Sequence, residues 1–484
     1  MPEYTNEAVM KILDTGIAMS KEKDRNKLLD KILDESISMA HCDAGTLYVC
    51  RDNALQFQVM KTLSLNVDKG KNGEKIDLPP VPMSEKNICA YTVIHKKPLN
   101  IENVYENDAF DFSGPYQYDR MTGYHTQSML TIPLLNQEDE AVGVLQLINA
   151  LDEKESIIPF AKELEHIIFA MASQAAIAVS NIRYMEEIKE QMWSFTEAMA
   201  ETIDTRTPYN ANHVRMVADY AGKMADYMNE QHEKGLEEEF FSANRKEQLL
   251  LAALLHDIGK VSIPTGVMNK ATRLEGKLQS IEERFELFRA RYKVQLLEGK
   301  LEPEEYRRMT ERVDYALALV KEVNSLGFLP EAKEQELMEI FTYSYDGEEG
   351  CRPYFTEEEQ EDLLIRKGTL TEHERKIMES HVEMTERILT KVHFNQNYQD
   401  VMKWAVQHHE CLDGSGYPRQ LTADRLPIES RILAVADICD ALLATDRPYK
   451  KPIPKEKVFA IMRDMAQQGK IDGRLVDYLE KCIE

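Results

Sequence analysis

Apolar positions along the first 170 residues alternate between two periods. Leu28-Leu29, Ile32-Leu33, Ile37 and Met39 fall on one face of a helix. The run Ala44 to Cys50 then reads as a strand, Arg51-Asp52-Asn53 as a polar turn, and Leu55-Gln56-Phe57-Gln58-Val59 as an alternating return strand. A second pair, Ser128 to Leu134 and Ala141 to Ile148, is separated by Asn136-Gln137-Glu138-Asp139. Residues 1–170 are thus expected to form an α+β domain, an antiparallel sheet with flanking helices. Met185, Ile188, Met192, Phe195 and Met199 recur at intervals of three and four residues, an apolar seam on a coiled-coil-like helical linker over 171–205. The seam predicts a parallel homodimer stalk, although packing onto a neighbouring domain produces the same spacing. From 206 to 484 the pattern is all-α. Ile281, Phe285, Phe288, Tyr292 and Leu296 make one helical stripe, the pattern breaks at Gly299, and Tyr306, Met309, Val313, Leu317 and Val320 make another after Pro303. This reads as a charged helical hairpin within a longer insertion, suited to a lid, a brace or a dimer contact.

A chain of 484 residues accommodates two or three domains, and 43% hydrophobic with 30% charged residues is ordinary for a globular protein. The longest apolar runs, Ile167 to Ala172 and Leu249 to Leu255, are far shorter than a membrane span, and Met1-Pro2-Glu3-Tyr4 lacks the basic-then-apolar opening of a signal peptide. A cytoplasmic location without membrane contact is expected. Seven scattered cysteines with no Cys-x-x-Cys pair favour buried free thiols over disulfides or thiolate zinc. A net charge of −25 disfavours nucleic-acid polymers and anionic lipid. It permits a small phosphate substrate only where metals or local Lys and Arg supply positive charge.

Candidate chemistry lies in the helical region. Leu254-Leu255-His256-Asp257-Ile258-Gly259-Lys260 puts a His–Asp pair at the end of an apolar helical run, where a buried carboxylate needs a compensating charge. A divalent cation supplies one, and a carboxylate can bridge two. A hydrogen-bonded core pair would look the same, so the other members matter. His213 opens a helical run after Thr207-Pro208-Tyr209, His381 follows Met378-Glu379-Ser380, and His408-His409-Glu410 closes a helix ahead of Asp413-Gly414-Ser415-Gly416-Tyr417-Pro418. Asp437 is a polar group on the apolar helix Ile432 to Cys439. Successive helical residues point about 100° apart, so His408 and His409 could serve different metals, or one could support the other.

Two resemblances follow from these residues. Leu130 to Pro133 with Gly143 to Asn149 is similar to the central strands of GAF domains, small sensor modules, over about residues 8–184. Cyclic-nucleotide-binding members carry Asn-Lys and then Phe, three residues and Asp-Glu. Here Asn149 precedes Ala150, and Phe160 precedes Ala161-Lys162-Glu163-Leu164-Glu165, which leaves the GAF ligand unknown and a purely dimerising role open.

His256-Asp257, His408-His409-Glu410, Gly416-Tyr417-Pro418 and Arg431 to Lys450 together resemble the HD-GYP subgroup of HD-domain phosphohydrolases, over about 196–465. That resemblance implies an all-α domain that hydrolyses cyclic di-GMP, a bacterial second messenger, to pGpG or GMP with two or three iron or manganese ions. The implied ligands are His213, His256, Asp257, His381, His408, His409 and Asp437, with Asp257 bridging and catalytic. Lys260 would hold a phosphate oxygen, Gly416, Tyr417 and Pro418 would shape the pocket mouth, and Arg447 and Lys450 would contact phosphate or guanine. The chain departs from the pattern at four places. Tyr209 stands where some members carry a third-metal Glu, which favours two metals. Cys411-Leu412 replaces Arg-Trp, Thr385 replaces a Gly, and residues 274–361 are inserted between His256 and His381. A mixed cyclic GMP-AMP substrate and a non-catalytic receptor remain as alternatives.

Overall fold

The computed structural model describes residues 24–71, 74, 76–206, 212–347, 350–444 and 453–483. Tyr209, Arg447 and Lys450 lie outside them. The chain divides into two compact units between Met192 and Trp193.

In the first unit, α1 (Arg25–Ala40) is followed by β1 (Cys42–Arg51), β2 (Ala54–Thr62), β3 (Val67–Lys69) and β4 (Val81–Pro82). Then come α2 (Ile88–His95), β5 (Leu99–Ile101), α3 (Ser113–Thr122), β6 (Met129–Leu135), β7 (Ala141–Leu151) and β8 (Ile157–Ile158). The sheet order is β3-β2-β1-β7-β6-β5, with β4 on β2 and β8 on β7, all neighbours antiparallel. Both expected hairpins are present. Period-two alternation sorts their side chains: Leu130, Ile132, Leu145 and Leu147 join Leu28, Leu29, Ile32 and Leu33 of α1 in one core. Met129 and Val144 face the other way, onto Ile88, Cys89, Val93 and Phe112. Asn149 holds the chain around it. Its Oδ1 accepts from the Gln127 N–H at 2.8 Å and its Nδ2 donates to the His125 carbonyl at 2.7 Å.

A single helix, α4 (Lys162–Asp204), replaces the shorter linker expected from the seam alone. Its first turns bury Ile168, Met171, Ala172, Ala175 and Val179 in the sheet-side core. Further along, Met185, Ile188 and Phe195 of the apolar seam are exposed at 63%, 60% and 67%, whereas Met192 and Met199 are half-buried.

The second unit is built on α5 (His213–Glu233) and α6 (Ala243–Leu255), followed by a 3-10 turn, Ile258–Ser262, and α7 (Thr265–Met268). The inserted region carries α8 (Leu278–Leu297), α9 (Pro303–Asn324), α10 (Glu331–Phe341), the ribbon β9 (Ser344–Gly347) and β10 (Gly350–Pro353), and α11 (Glu357–Leu363). The expected α8–α9 hairpin therefore has two further helices, α10 and α11, and a two-stranded ribbon added to it. Together they enclose a separate core of Ile281, Phe285, Phe288, Val313, Val320, Leu337, Ile340, Tyr354 and Phe355. After the insert come α12 (Glu372–Glu379), α13 (His381–Leu389), α14 (Val401–Ala405), α15 (Ile428–Leu443), α16 (Lys455–Gln467) and α17 (Gly473–Ile483). No described helix is long and apolar enough to cross a membrane. All seven cysteines are unpaired. Cys42, Cys89 and Cys439 are buried as expected, whereas Cys351 is exposed.

Candidate metal centre

The sequence-predicted ligand residues reach one buried locus from five separate places in the second unit. His213 is the first residue of α5, and His256-Asp257 follow the end of α6. His381 opens α13, and Asp437 lies on α15. His408 and His409 differ from the expectation. α14 stops at Ala405, and the pair lies on the turn beyond it rather than in the last helical turn.

The two oxygens of Asp257 face different neighbours. Oδ2 is 3.6 Å from His213 Nε2 and 3.3 Å from His256 Nε2. Oδ1 is 3.4 Å from His381 Nε2 and 3.9 Å from His408 Nε2. Asp437 is divided in the same way, with Oδ1 3.2 Å from His213 Nε2 and Oδ2 3.9 Å from His409 Nδ1. Two donor groups result, His213-His256-Asp257 and His381-His408-His409. The Asp257 carboxylate lies between them.

Hydrogen bonds on the far side of each ring set its tautomer. Nδ1 of His256, His381 and His408 lies 2.6, 2.7 and 2.6 Å from the carbonyls of Ala253, Met378 and Ala405. A carbonyl only accepts, so each Nδ1 carries the hydrogen, and in its neutral form each ring turns an Nε2 lone pair inward. His213 uses a carboxylate instead: Asp440 Oδ2 is 2.6 Å from its Nδ1. Sequence reasoning missed Asp440, although its place one turn after Asp437 puts both on one helical face.

This arrangement fits a bound cation. His381 Nε2 and His408 Nε2 are 3.5 Å apart, both presenting lone pairs, beside a carboxylate oxygen. The buried Nε2 of His256 and Oδ1 of Asp257 have no hydrogen-bond partner. Acceptors facing acceptors in a dry site are unfavourable without positive charge between them. Separations of 3.2–4.0 Å suit neighbouring ligands with metal bonds of about 2 Å.

Ionisation follows the same geometry. Burial opposes the Asp257 charge, but the Lys260 ammonium and the His213 donor outweigh it and hold the carboxyl well below its ordinary range. Burial pushes His408 well down and His409 down to about 4, leaving both rings as neutral donors. His213 is the exception. Although burial lowers it, the carboxylates of Asp257, Asp437 and Asp440 raise it to about 11, so it must release a proton to offer Nε2.

Lys260 follows on the 3-10 turn, with its ammonium against Asp257 Oδ2. That turn is held from outside by Arg206, which donates to the carbonyls of Lys260 (3.3 Å), Ile263 (3.1 Å) and Val261. Tyr417 stacks on His409 at 4.7 Å between ring centroids, which brings the Gly416-Tyr417-Pro418 loop to the site. The loop is fixed by buried Glu410, whose carboxylate accepts from the Arg419 and Leu421 N–H groups at 2.7 and 2.9 Å. Gly416 is required there, because a Cβ would lie 2.3 Å from the Cys411 nitrogen.

Known families account for both units. Residues 24–179 match the GAF domain family, and residues 210–330 and 358–475 match the HD domain family. The chain thus carries a GAF domain and an HD domain over those stretches. Among curated relatives, the 3'3'-cGAMP-specific phosphodiesterase 3 of Vibrio cholerae is 39% identical over 121 residues, 25% of each chain. The cyclic di-GMP phosphodiesterase response regulator RpfG of Xanthomonas campestris is 39% identical over 25% of this chain and 31% of its own. A cyclic di-GMP phosphodiesterase of Thermotoga maritima is 42% identical over 20% of this chain and 26% of its own. The chain thus spans less than a third of the length of these relatives. Among solved structures, the GAF domain of an Acinetobacter phosphoenolpyruvate-protein phosphotransferase aligns at 12% identity and a TM-score of 0.28, over 37% of this chain and 96% of its own.

Proposed function

We propose that this protein is a metal-dependent phosphodiesterase that opens a cyclic dinucleotide, with cyclic di-GMP as the first candidate and cyclic GMP-AMP as the second. The observation that carries the reading is the Asp257 carboxylate, with one oxygen toward each of two donor groups. His213, His256, Asp257 and Asp437 would hold one ion, and His381, His408, His409 and Asp257 the other. Imidazole and carboxylate donors without thiolate suit iron or manganese. Bound there, two such ions supply an activated water and neutralise charge on the phosphoryl oxygens. The chain's own part is to keep the imidazoles neutral and aimed, through the Ala253, Met378 and Ala405 carbonyls. Lys260, displaced from Asp257 by a bound cation, would turn its ammonium to a substrate phosphate oxygen. Tyr417 offers an aromatic face beside His409 for a base or ribose. Arg447 and Lys450 remain proposed phosphate or guanine contacts.

Purified protein loaded with Mn²⁺ or Fe²⁺ is expected to carry close to two ions per chain and to linearise cyclic di-GMP. Elemental analysis and a hydrolysis panel of cyclic dinucleotides, run on one sample, check both. Tight binding of the nucleotide without turnover under either metal would favour the receptor reading instead.

Regulation by the GAF domain belongs to the same proposal. Helix α4 starts in the first unit, and Arg206, just past its end, grips the turn that carries Lys260. The exposed seam of Met185, Ile188 and Phe195 would pair with a second copy, so a change in helix angle would reach that turn. The double substitution Ile188→Asp with Phe195→Asp is expected to shift the protein from dimer to monomer in sedimentation velocity and to alter turnover. A dimer with unchanged turnover would rule the stalk out.

A further inference from the structure

We infer that Thr385 is a positioning residue that locks the two halves of the metal centre together. The inference rests on the metal-centre reading above, and Thr385 is a position where the chain departs from the resembled pattern. Its side chain is fully buried on α13, one turn after His381. A helical threonine ordinarily bonds back to a carbonyl of its own helix. Here the hydroxyl leaves the helix and bonds twice to the opposing turn: Oγ1 donates to the His256 carbonyl at 3.1 Å and accepts from the Gly259 N–H at 3.0 Å.

Those two anchors bracket Asp257 and Ile258. The backbone that aims the shared carboxylate is therefore pinned to the helix that carries His381. One donor group is supplied from the His256 side of this contact and part of the other from the His381 side. Only glycine fits opposite. A Cβ at Gly259 would lie 1.9 Å from the His381 carbonyl oxygen and 2.7 Å from Thr385 Oγ1. Turn and helix thus meet backbone to backbone, and the hydroxyl is the polar group that fixes their register. Without it, the His256 carbonyl and the Gly259 N–H lose their partner in a dry contact, and the turn is free to shift against α13. The Oδ1 side of Asp257 would then part from His381 and His408.

The test uses the full chain and Mn²⁺ as the probe, comparing wild type with Thr385→Val, Thr385→Ala and Thr385→Ser. Valine keeps the volume and removes the hydroxyl. Serine keeps the hydroxyl and removes the methyl, and alanine removes both. Loss of an outer support of this kind costs about tenfold or more in metal affinity. Mn²⁺ titration is expected to give serine within about twofold of wild type, with valine and alanine weaker by about tenfold. Should valine fail to fold, as read by circular dichroism, the alanine–serine pair carries the comparison. Equal Mn²⁺ affinity in all four proteins overturns the inference, as does serine as weak as alanine. If wild type hydrolyses no cyclic dinucleotide while Mn²⁺ retention still follows the hydroxyl, the positioning role stands and the proposed substrate falls. A wild-type chain that holds no Mn²⁺ overturns both.

Discussion

Asp257→Asn is expected to lower kcat for cyclic di-GMP by about a thousandfold or more and to lower the metal content of the purified protein below one ion per chain. Asparagine has nearly the same shape, so the change isolates charge and donor number. The carboxylate has Oδ2 toward His213 and His256, and Oδ1 toward His381 and His408. An amide offers one oxygen and puts an NH₂ on the other side, where it meets lone pairs at one donor group only. It also removes the negative charge that would hold two cations side by side. In the proposed mechanism those cations would supply several kcal/mol of charge stabilisation, and each 1.36 kcal/mol is a factor of ten in rate. The change costs stability, because it leaves Lys260 without the carboxylate against it, but the Lys260 side chain is partly exposed and can turn to water, so the fold should survive. A variant that keeps two ions and most of its turnover would show that Asp257 is not the bridge. Asp437→Asn touches the same rings from α15 and should be weaker in effect, since it leaves the carboxylate between the two groups intact.

Much of this centre was legible because its members lie at element ends. His213 at a helix start, His256-Asp257 at a helix end and His381 at another start are recognisable wherever an apolar run meets a polar pair. The sheet was legible for a related reason, since alternating side chains divide between two faces and leave a period of two. Placing His408-His409 in the last helical turn failed because α14 closes early, and a turn of Val406 and Gln407 carries no breaker residue to announce it. Thr385 stood out only as a replaced Gly, and its contact could not be read. Its hydroxyl partners are 126 and 129 residues away in sequence, and no local period reports a contact across such a distance. The ribbon Ser344–Gly347 with Gly350–Pro353 was missed because each strand has four residues and no apolar alternation.

Arg273→Leu is expected to lower stability by about 3 kcal/mol, the cost of leaving the Ile365 and Leu326 carbonyls unpaired at about 1–3 kcal/mol each. Arg273 is fully buried, and no carboxylate pairs with its guanidinium in the described structure. It donates instead to the Ile365 carbonyl at 3.0 and 3.2 Å, to the Val323 carbonyl at 2.8 Å and to the Leu326 carbonyl. Those groups come from the end of α9 and from the segment after α11, so one side chain closes the insert at its neck. Burial lowers the Arg273 pKa, yet arginine remains charged, which makes the carbonyl fork a strong set of bonds. Leucine fills similar space and satisfies none of them. Arg273→Lys should fall between, since an ammonium lacks the planar fork. The damage should reach beyond the insert. Lys270 Nζ, three residues before Arg273, bonds to Asp362 Oδ1 at 2.8 Å and to Glu374 Oε2 at 2.8 Å. Glu374 also closes the capping box of α12 with Thr371, and α12 leads directly to His381. Hydrogen exchange is expected to quicken through 274–365 and across α12, while the sheet of the first unit keeps its protection. A fall in melting temperature of about 6–12 °C should accompany it, at about 2–4 °C per kcal/mol for a domain of this size. Unchanged melting and unchanged exchange at α12 would mean that the insert is an independent appendage with no hold on the metal centre.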